Sequence, residues 1–356
     1  MRIPSNDISQ GLMQRVTEAA AQQQSLQLCG SGSKVFLGRQ PSGSPLDLTG
    51  HRGVINYEPR ELVITARAGT RLDELEALLA AEGQMLPFEP PHFGDTATLG
   101  GTAACGLSGP RRPYAGAFRD FVLGATLING LGERLRFGGE VMKNVAGYDL
   151  SRLMIGAMGT LGLLLDISLK VLPLPETECT LVQTCGEAQA IELMNRLAGT
   201  PMPLSGAAYD GLNLYLRLSG SEQGVMAAQG QLGGEVLEEG GRFWQRLREL
   251  THPFFDNRRP LWRLSVASAA PPLGLPGKQF IDWGGAQRWL ITDQSAERVR
   301  EVAVRQGGHA QLFRGGDRTG AVNQPLPAAL MQLHQQLKQA LDPKGIFNPG
   351  RLYPEF

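Results

Sequence analysis

The spacing of apolar residues changes several times along the first half of the chain. In residues 9–24 apolar positions recur every three or four residues, which predicts an amphipathic helix. Residues 72–82 predict a second helix, with Thr70 and Asp73 arranged as a capping box at its start. Short apolar runs predict strands at residues 26–28, 35–37 and 62–66. This order is not a regular alternation of strands and helices, so it favours a mixed α+β domain over a doubly wound sheet.

The sequence next contains a β-hairpin signal, and the segment after Pro175 predicts a second domain. The dipeptide Asn129-Gly130 lies between two apolar runs, which is typical of a tight β-hairpin. After Pro175 strand-like and helical patterns continue without a fixed repeat, which predicts a second α+β domain with an antiparallel sheet. The strands predicted from here on are 121–128, 135–137, 161–171, 180–184, 207–218, 261–267, 288–291 and 310–314. The later helices are predicted at 187–198, 224–232, 242–250, 295–306 and 328–341.

Charge and composition exclude several classes of function. The chain has 34 basic and 34 acidic residues and no basic cluster, so nucleic acid is a poor candidate partner. No apolar run reaches the length of a membrane span, and the polar first ten residues do not resemble a signal peptide, so we expect a cytoplasmic protein. The four cysteines and five histidines have no zinc or iron–sulfur spacing, so no metal site is expected. Redox chemistry in this chain would therefore need an organic cofactor.

Glycine is the residue type in excess, at 46 of 356 residues, and 15 of these lie between Gly94 and Gly162. The segment G-S-G-S-K, from Gly30 to Lys34, follows a predicted strand and offers backbone N–H groups, two hydroxyls and an ammonium group to a phosphate. It fits neither a Walker A loop nor a dinucleotide fingerprint, because Val35 stands where the third glycine should be. A nicotinamide-binding domain is therefore disfavoured.

Two further segments are rich in small residues. Residues 90–110 contain Gly100, Gly101 and Gly106 among alanines, serines and threonines, so the backbone there can approach a flat, bulky group closely. The alternative is a loop packed against other backbone. Residues 156–166 lead from small residues into an apolar strand, as at the edge of a ligand site.

Taken together, these motifs resemble the flavin-binding module of the vanillyl-alcohol oxidase / p-cresol methylhydroxylase (PCMH) superfamily. Within it, the chain is most similar to the family of FAD-binding E subunits of glycolate oxidase, over residues 8–171 and 307–352. The motifs that carry the resemblance are G-S-G-S-K (30–34), T-L-G-G-T-A-A (98–104), G-L-S-G-P-R-R (106–112), R-D-F-V-L-G (119–124), K-N-V-A-G-Y-D-L (143–150), G-T-L-G-L-L-L-D-I-S (159–168) and G-I-F-N-P-G-R (345–351).

The resemblance implies an α+β fold in which FAD lies between two subdomains of a PCMH-type domain, residues 1–175. A smaller α+β cap with an antiparallel sheet, residues 176–306, would close over the flavin ring, and residues 307–356 would return to the FAD domain. No histidine stands in the 30–34 loop, where members with covalent flavin often carry one, so noncovalent FAD is expected. The implied FAD-binding residues are Gly30, Ser31, Gly32, Ser33, Lys34, Thr98, Leu99, Gly100, Gly101, Ala104, Gly159, Gly162, Ile167 and Asn348.

Candidate catalytic residues are fewer. The Arg111-Arg112 pair is suited to bind the carboxylate of a 2-hydroxy acid, with a solvated loop as the alternative. His309 precedes an apolar strand and could act as a base near the flavin, or simply end the strand. Lys143, Tyr148 and Asp149 are interpreted as structural, with a Lys–Asp pair and a packed tyrosine.

The implied function is the oxidation of glycolate, or another small 2-hydroxy acid, with hydride transfer to FAD. Because the chain has no iron–sulfur motif, a partner subunit is expected to carry the clusters. The resemblance implies that the partners are an iron–sulfur subunit and a larger flavin subunit. Any association with a membrane would be through those partners. The alternative is an FAD-binding structural or electron-relay subunit with no substrate chemistry of its own.

Overall fold

The computed structural model of the protein describes residues 3–139 and 149–356. The helices there are α1 (Ser9–Gln22), α2 (Leu72–Ala81), α3 (Leu99–Cys105), α4 (Arg112–Ala115), α5 (Leu150–Leu153), α6 (Glu187–Ala198), α7 (Glu222–Leu232), α8 (Gly240–Arg248), α9 (Ala296–Arg305) and α10 (Ala328–Leu341). The strands are β1 (Leu26–Cys29), β2 (Ser44–Asp47), β3 (Val54–Glu58), β4 (Val63–Arg67), β5 (Gln84–Met85), β6 (Val122–Ile128), β7 (Arg134–Gly138), β8 (Leu163–Lys170), β9 (Leu172–Pro173), β10 (Thr177–Thr184), β11 (Leu204–Tyr209), β12 (Asn213–Gly220), β13 (Glu235–Val236), β14 (Leu261–Ser265), β15 (Lys278–Asp282), β16 (Gln287–Ile291) and β17 (His309–Arg314).

The first domain is built from two small sheets. Five strands form an antiparallel sheet in the order β3-β4-β8-β6-β7, and the apolar strand β8 at its centre is buried along almost its whole length. The β6–β7 hairpin turns as the sequence predicts, because the Asn129 side-chain oxygen accepts hydrogen bonds from the N–H groups of Leu131 and Glu133. Beside it, β1 and β2 pair in parallel. The C-terminal tail joins this pair through a bridge between Leu26 and Phe347.

The second domain is organised around one eight-stranded sheet, in the order β13-β10-β12-β11-β15-β16-β14-β17. Each strand pair in it is antiparallel, which confirms the α+β architecture with an antiparallel sheet in this part of the chain. On β14, Trp262 and Leu264 are buried with Val299 of α9. Because successive strand residues point to opposite faces, Arg263 and Ser265 lie on the other face, which is turned toward the first domain.

Some local predictions are wrong, each for a physical reason. Residues 35–37 form turns instead of a strand, with the Val35 N–H bonded to the Gly32 carbonyl. The segment around Gly100 and Gly101 is not a loop but the short helix α3, whose first turn is capped by the Thr98 hydroxyl. At α2 there is no side-chain cap, because the Thr70 hydroxyl bonds to the backbone of Gly53 instead.

Two differences concern the second domain and its boundaries. Residues 207–218, predicted as one strand, contain a turn that separates β11 from β12. Strand β15 was not predicted from the sequence. Strand β17 pairs with β14, so the cap sheet extends to Arg314, past the boundary expected at residue 306.

Lys143 and Tyr148 lie outside the described residues, while Asp149 forms an ion pair with Arg152. Across the described ranges, we find no helix with the length and apolar character needed to cross a bilayer.

Candidate functional site

A cleft lies between the two sheets of the first domain. It has two adjoining lobes of about 630 Å³ and 440 Å³. The loop after β1 forms one wall, and α3 with the turn before β8 forms the other. The lobes share the residues Leu28, Gly30, Thr98, Gly101, Ala104, Met158 and Asn348.

Most of the residues assigned to FAD binding from the sequence line this cleft. They are Gly30, Ser31, Gly32, Ser33, Lys34, Thr98, Gly100, Gly101, Ala104, Gly159, Gly162 and Asn348. The other two, Leu99 and Ile167, have side chains that are buried in the hydrophobic core of the five-stranded sheet. The cleft therefore brings together segments that are more than 300 residues apart in the sequence.

Glycine is required where the cleft walls approach each other. A Cβ at Gly30 would lie 2.7 Å from the Thr98 hydroxyl, and one at Gly100 would lie 2.6 Å from the Ala68 Cβ. Gly32 has a φ of +78°, a conformation that side chains disfavour. At Gly101, by contrast, an added Cβ meets only the Thr98 hydroxyl, at 3.1 Å, so a larger side chain there would fill the cleft rather than strike the fold.

Two buried cations face the cleft without a counter-ion. Lys34 is 6% exposed, and its Nζ donates to the His92 carbonyl at 3.0 Å and to the Ser33 hydroxyl at 3.4 Å. Arg351 is equally buried and donates to the carbonyls of Val35 and Arg39. Neither cation forms an ion pair with any carboxylate in the described part of the chain. Burial lowers the pKa of both side chains, as expected for positive charges held away from water.

This donor set fits a diphosphate. Uncompensated buried charge is costly, and an anion beside Lys34 and Arg351 would remove that cost. The loop between Gly30 and Ser33 adds small side chains, hydroxyls and accessible backbone. The residues present therefore fit the pyrophosphate and the flat ring system of FAD, which the sequence motifs imply.

Asn348 holds the cleft walls together. Its side-chain oxygen accepts a hydrogen bond from the Leu28 N–H at 2.8 Å, and its amide group donates to the Met158 carbonyl at 2.7 Å. The tail thus returns to the cleft, as expected, and ties β1 to the turn before β8. Since both ends of this side chain are used within the protein, it shapes the cleft.

Arg111 lies at the junction of the two domains, in a buried ion-pair cluster. Its Nε donates to Glu89 at 3.2 Å, and its guanidinium group also pairs with Glu178. Arg217 binds the same Glu89 carboxylate, at 2.8 Å. Arg111 is therefore neither the solvated loop residue nor the free substrate-binding cation considered from the sequence, because carboxylates of the protein already occupy its guanidinium group.

A second cavity of about 310 Å³ lies between the first domain and the inner face of the cap sheet. The polar residues Arg263, Asp282 and Gln287 line it, together with aromatic walls. Burial raises the pKa of Asp282 to about 7. His309 is on the same sheet face but does not line the cavity, and it is an exposed residue whose ring is partly buried. Partial desolvation, and to a lesser degree the charge of Arg263, lowers the pKa of His309.

The sequence-based search missed the polar residues of this junction. The sequence does contain a signal for Arg263. This charged residue interrupts the largely apolar strand L-W-R-L-S, and nothing else in the sequence marks its position as facing solvent. Glu89 and Asp282 carry no local signal, since Glu89 precedes two prolines and Asp282 ends a strand that was not predicted.

Comparisons with known proteins agree with this geometry. Residues 10–138 match the family described as FAD binding domain, and residues 315–352 match the C-terminal domain of FAD linked oxidases. The chain is 52% identical to glycolate oxidase subunit GlcE of Escherichia coli (strain K12), over 98% of each chain. It is 32% identical to glycolate oxidase subunit GlcD of Bacillus subtilis (strain 168), over 43% of this chain and 33% of that one. The solved structure of alkyldihydroxyacetonephosphate synthase shares the fold, with a TM-score of 0.67 at 15% identity over 97% of this chain and 75% of that chain.

Proposed function

Since the chain belongs to the family of FAD-linked oxidases that includes the E subunit of glycolate oxidase, we propose that it is the FAD-binding E subunit of a glycolate oxidase complex. In this role it takes part in oxidising glycolate, or a similar 2-hydroxy acid, to the 2-oxo acid. The sequence-based expectations of an FAD-dependent oxidoreductase and of FAD as cofactor are confirmed by the family. FAD supplies the two-electron chemistry when bound, and the chain binds, orients and shields it.

The observation that carries the proposal is the pair of uncompensated buried cations at the first cleft. Lys34 and Arg351 lie on a glycine-lined wall, and a dinucleotide with a pyrophosphate centre satisfies both. Asn348 fixes the spacing of the walls. No covalent attachment is required, because this arrangement supplies both charge complementarity and close backbone contact.

The proposed complex has further subunits. The four cysteines are separate free thiols with no cluster-binding spacing, so electrons that leave this subunit need another carrier. A larger flavin subunit and an iron–sulfur subunit fit that requirement. The complex would work in the cytoplasm, and any membrane contact would come through those partners.

Replacement of Lys34 by glutamine should weaken FAD binding by about tenfold, because one charge-assisted contact to phosphate is lost. The purified chain is expected to hold one FAD, identified after denaturation by chromatography, and the affinity of the apoprotein is then measured by titration with FAD. Lys278→Gln, at an exposed strand position, is the matched control and should bind like the wild type. A wild-type chain that never binds FAD would refute the proposed function.

A test of the reaction itself uses anaerobic mixing of the FAD-loaded chain with glycolate. Bleaching of the flavin spectrum by the chain alone is expected if the chain performs the oxidation. Bleaching that occurs only in the reconstituted complex would assign the chain to electron relay or structural support.

A further inference from the structure

A row of polar residues crosses the inner face of the cap sheet. Asp282 on β15 stands opposite Gln287 on β16, which stands opposite Ser265 on β14, which in turn stands opposite His309 on β17. Residues in such register are neighbours across adjacent strands. The next row on the same face contains two aromatic residues, Phe280 and Trp289, followed by Arg263 and Gln311. Polar groups and aromatic walls thus meet in the interdomain cavity.

Arg263 is the cation of this cavity, and its terminal nitrogens are free. Its Nε donates to Gln287 at 2.8 Å, and its guanidinium group packs over the Trp283 ring at 5.0 Å. Its two Nη atoms bond to no residue within the described ranges, and it forms no ion pair there. Arg248, the other arginine lining the cavity, differs because Glu249 pairs with it at 2.8 Å. Two parallel N–H donors with no protein acceptor are suited to bind a carboxylate in a bidentate manner.

Trp289 supplies an independent sign of a missing ligand. Its side chain lines the cavity and is 4% exposed, yet its Nε1–H has no hydrogen-bond acceptor in the part of the chain that the structure describes. A buried indole N–H normally has an acceptor, because leaving it unpaired costs free energy. The other buried tryptophans with such bonds show the contrast, since Trp244 donates to Thr180 and Trp283 donates to the Gly109 carbonyl.

Asp282 lies at the polar end of the same cavity. One carboxylate oxygen accepts from the Trp283 N–H at 2.7 Å, and the other accepts from Gln287 at 3.3 Å. Gln287 also binds Arg263, so one amide side chain sets the position of both charged groups. Burial raises the pKa of Asp282 to about 7, so the carboxyl can accept and release a proton at neutral pH. The charged and titratable groups around it are Glu89 and Tyr114 from the first domain and Arg217 and Arg263 from the cap.

We propose that the interdomain cavity is a 2-hydroxycarboxylate site of this chain itself, in which Arg263 binds the carboxylate, Trp289 donates to a substrate oxygen and Asp282 accepts the hydroxyl proton. The inference rests on the proposed function, which supplies the oxidant. The substrate O–H bond breaks and its proton goes to Asp282. The α C–H bond breaks and its hydrogen leaves with the electron pair to FAD, while the C–O bond becomes a carbonyl. The product is the 2-oxo acid, and the two electrons lost equal the two that FAD accepts.

The site assigns substrate chemistry to residues other than those that the sequence favoured. Arg263 binds the substrate carboxylate, the role considered from the sequence for Arg111. The guanidinium group of Arg111 is instead paired with Glu89 and Glu178. Asp282 acts as the base, the role considered from the sequence for His309. His309 lies at the other, exposed end of the same polar row.

The experiment measures binding and turnover separately, on the full-length chain loaded with FAD. Oxalate, a two-carbon dicarboxylate without a transferable hydrogen, is titrated calorimetrically. Arg263→Gln should weaken oxalate binding by about 30-fold, the loss typical of a charge-assisted pair. Trp289→Phe, which keeps the aromatic wall, should weaken it by about fivefold. Arg259→Gln removes an arginine from an exposed ion pair with Asp293 and serves as the matched control, with unchanged binding expected.

Asp282→Asn is expected to separate binding from chemistry. It should keep oxalate affinity and FAD content but lower kcat for glycolate by about 100-fold or more, since proton transfer is lost. In the wild type, kcat should decrease below about pH 7 as Asp282 becomes protonated. The Asp282→Asn variant should not show this decrease in kcat.

The outcomes distinguish this inference from the proposed function. Wild-type oxalate affinity in Arg263→Gln and Trp289→Phe, with FAD retained, would overturn the hydroxycarboxylate site but not the FAD-binding role. Failure of the FAD-loaded wild type to bind oxalate or glycolate would do the same. If Arg263→Gln does not fold, the near-isosteric Trp289→Phe decides the question alone.

Discussion

Valine in place of Gly101 should give a folded chain that no longer retains FAD. Gly101 lines both lobes of the cleft, and its backbone is helical within α3, so a β-branched side chain is compatible with the local conformation. The added Cβ would meet only the Thr98 hydroxyl, at 3.1 Å, and the remaining methyl groups would project into the volume that the cofactor needs. Overpacking of this kind should weaken FAD binding by a factor on the order of 100. The readout is the flavin-to-protein absorbance ratio after purification, followed by titration of the apoprotein.

Two glycine variants make the test specific. Gly11→Val places the same side chain on an exposed position of α1 with nothing within 4 Å, so FAD content should be unchanged. Gly100→Val differs, because its Cβ would lie 2.6 Å from the Ala68 Cβ, and it should disturb the fold itself. Stoichiometric flavin in Gly101→Val would show that the cofactor lies elsewhere.

The cleft was predictable because its residues occur in short, continuous motifs. Gly30 to Lys34 and the segment from Thr98 to Ala104 each contribute a whole wall, so recognising a motif locates several lining residues together. Leu99 and Ile167 belong to the same motifs but do not line the cleft, because motif membership does not fix the direction of a side chain. Leu99 is next to cleft residues in sequence, but in α3 its side chain points to the core.

The interdomain residues were not predictable in the same way. Glu89 meets Arg217 across 128 residues of sequence, and Arg111 meets Glu178 across 67. Such pairings depend on how two sheets pack, and no local pattern encodes that. Arg263 shows the intermediate case, since its charge inside an apolar strand signals a special environment but not which cavity it faces.

The cleft and the cavity are also connected through aromatic packing. Phe93 lies 5.8 Å from the Lys34 ammonium group at the first cleft, and it lines the interdomain cavity. Phe36 packs edge-on against both Phe93 and Phe313, the latter on the inner face of the cap sheet. The wall of the cleft beside Lys34 is therefore continuous, through Phe93, with the wall of the interdomain cavity.

Replacement of Glu89 by glutamine should destabilise the junction between the two domains by about 3 kcal/mol. The Glu89 carboxylate accepts from Arg111 at 3.2 Å and from Arg217 at 2.8 Å, and both arginines are almost fully buried. Removing the negative charge leaves two buried guanidinium groups with reduced compensation, and breaking a buried pair in this way costs about 3 to 5 kcal/mol. All four tryptophans lie between Trp244 and Trp289, so fluorescence in a urea titration reports on the cap. Glu192→Gln, in an exposed pair with Arg196, is the control and should change stability by less than about 0.5 kcal/mol.

The same substitution has a signature in the pH dependence of stability. Burial alone would raise the pKa of Glu89, but the charges of Arg217 and Arg111 outweigh it and hold the pKa below its ordinary value. A carboxyl with a lowered pKa in the folded state stabilises the protein above its unfolded pKa of about 4.3, and this contribution is lost as the pH falls through the folded value. The difference in unfolding free energy between wild type and Glu89→Gln should therefore be constant near neutral pH and shrink below about pH 4. A difference that is already below about 1 kcal/mol at pH 7 would mean that the cluster does not hold the domains together, and that packing of Trp283 against the first domain carries the junction instead.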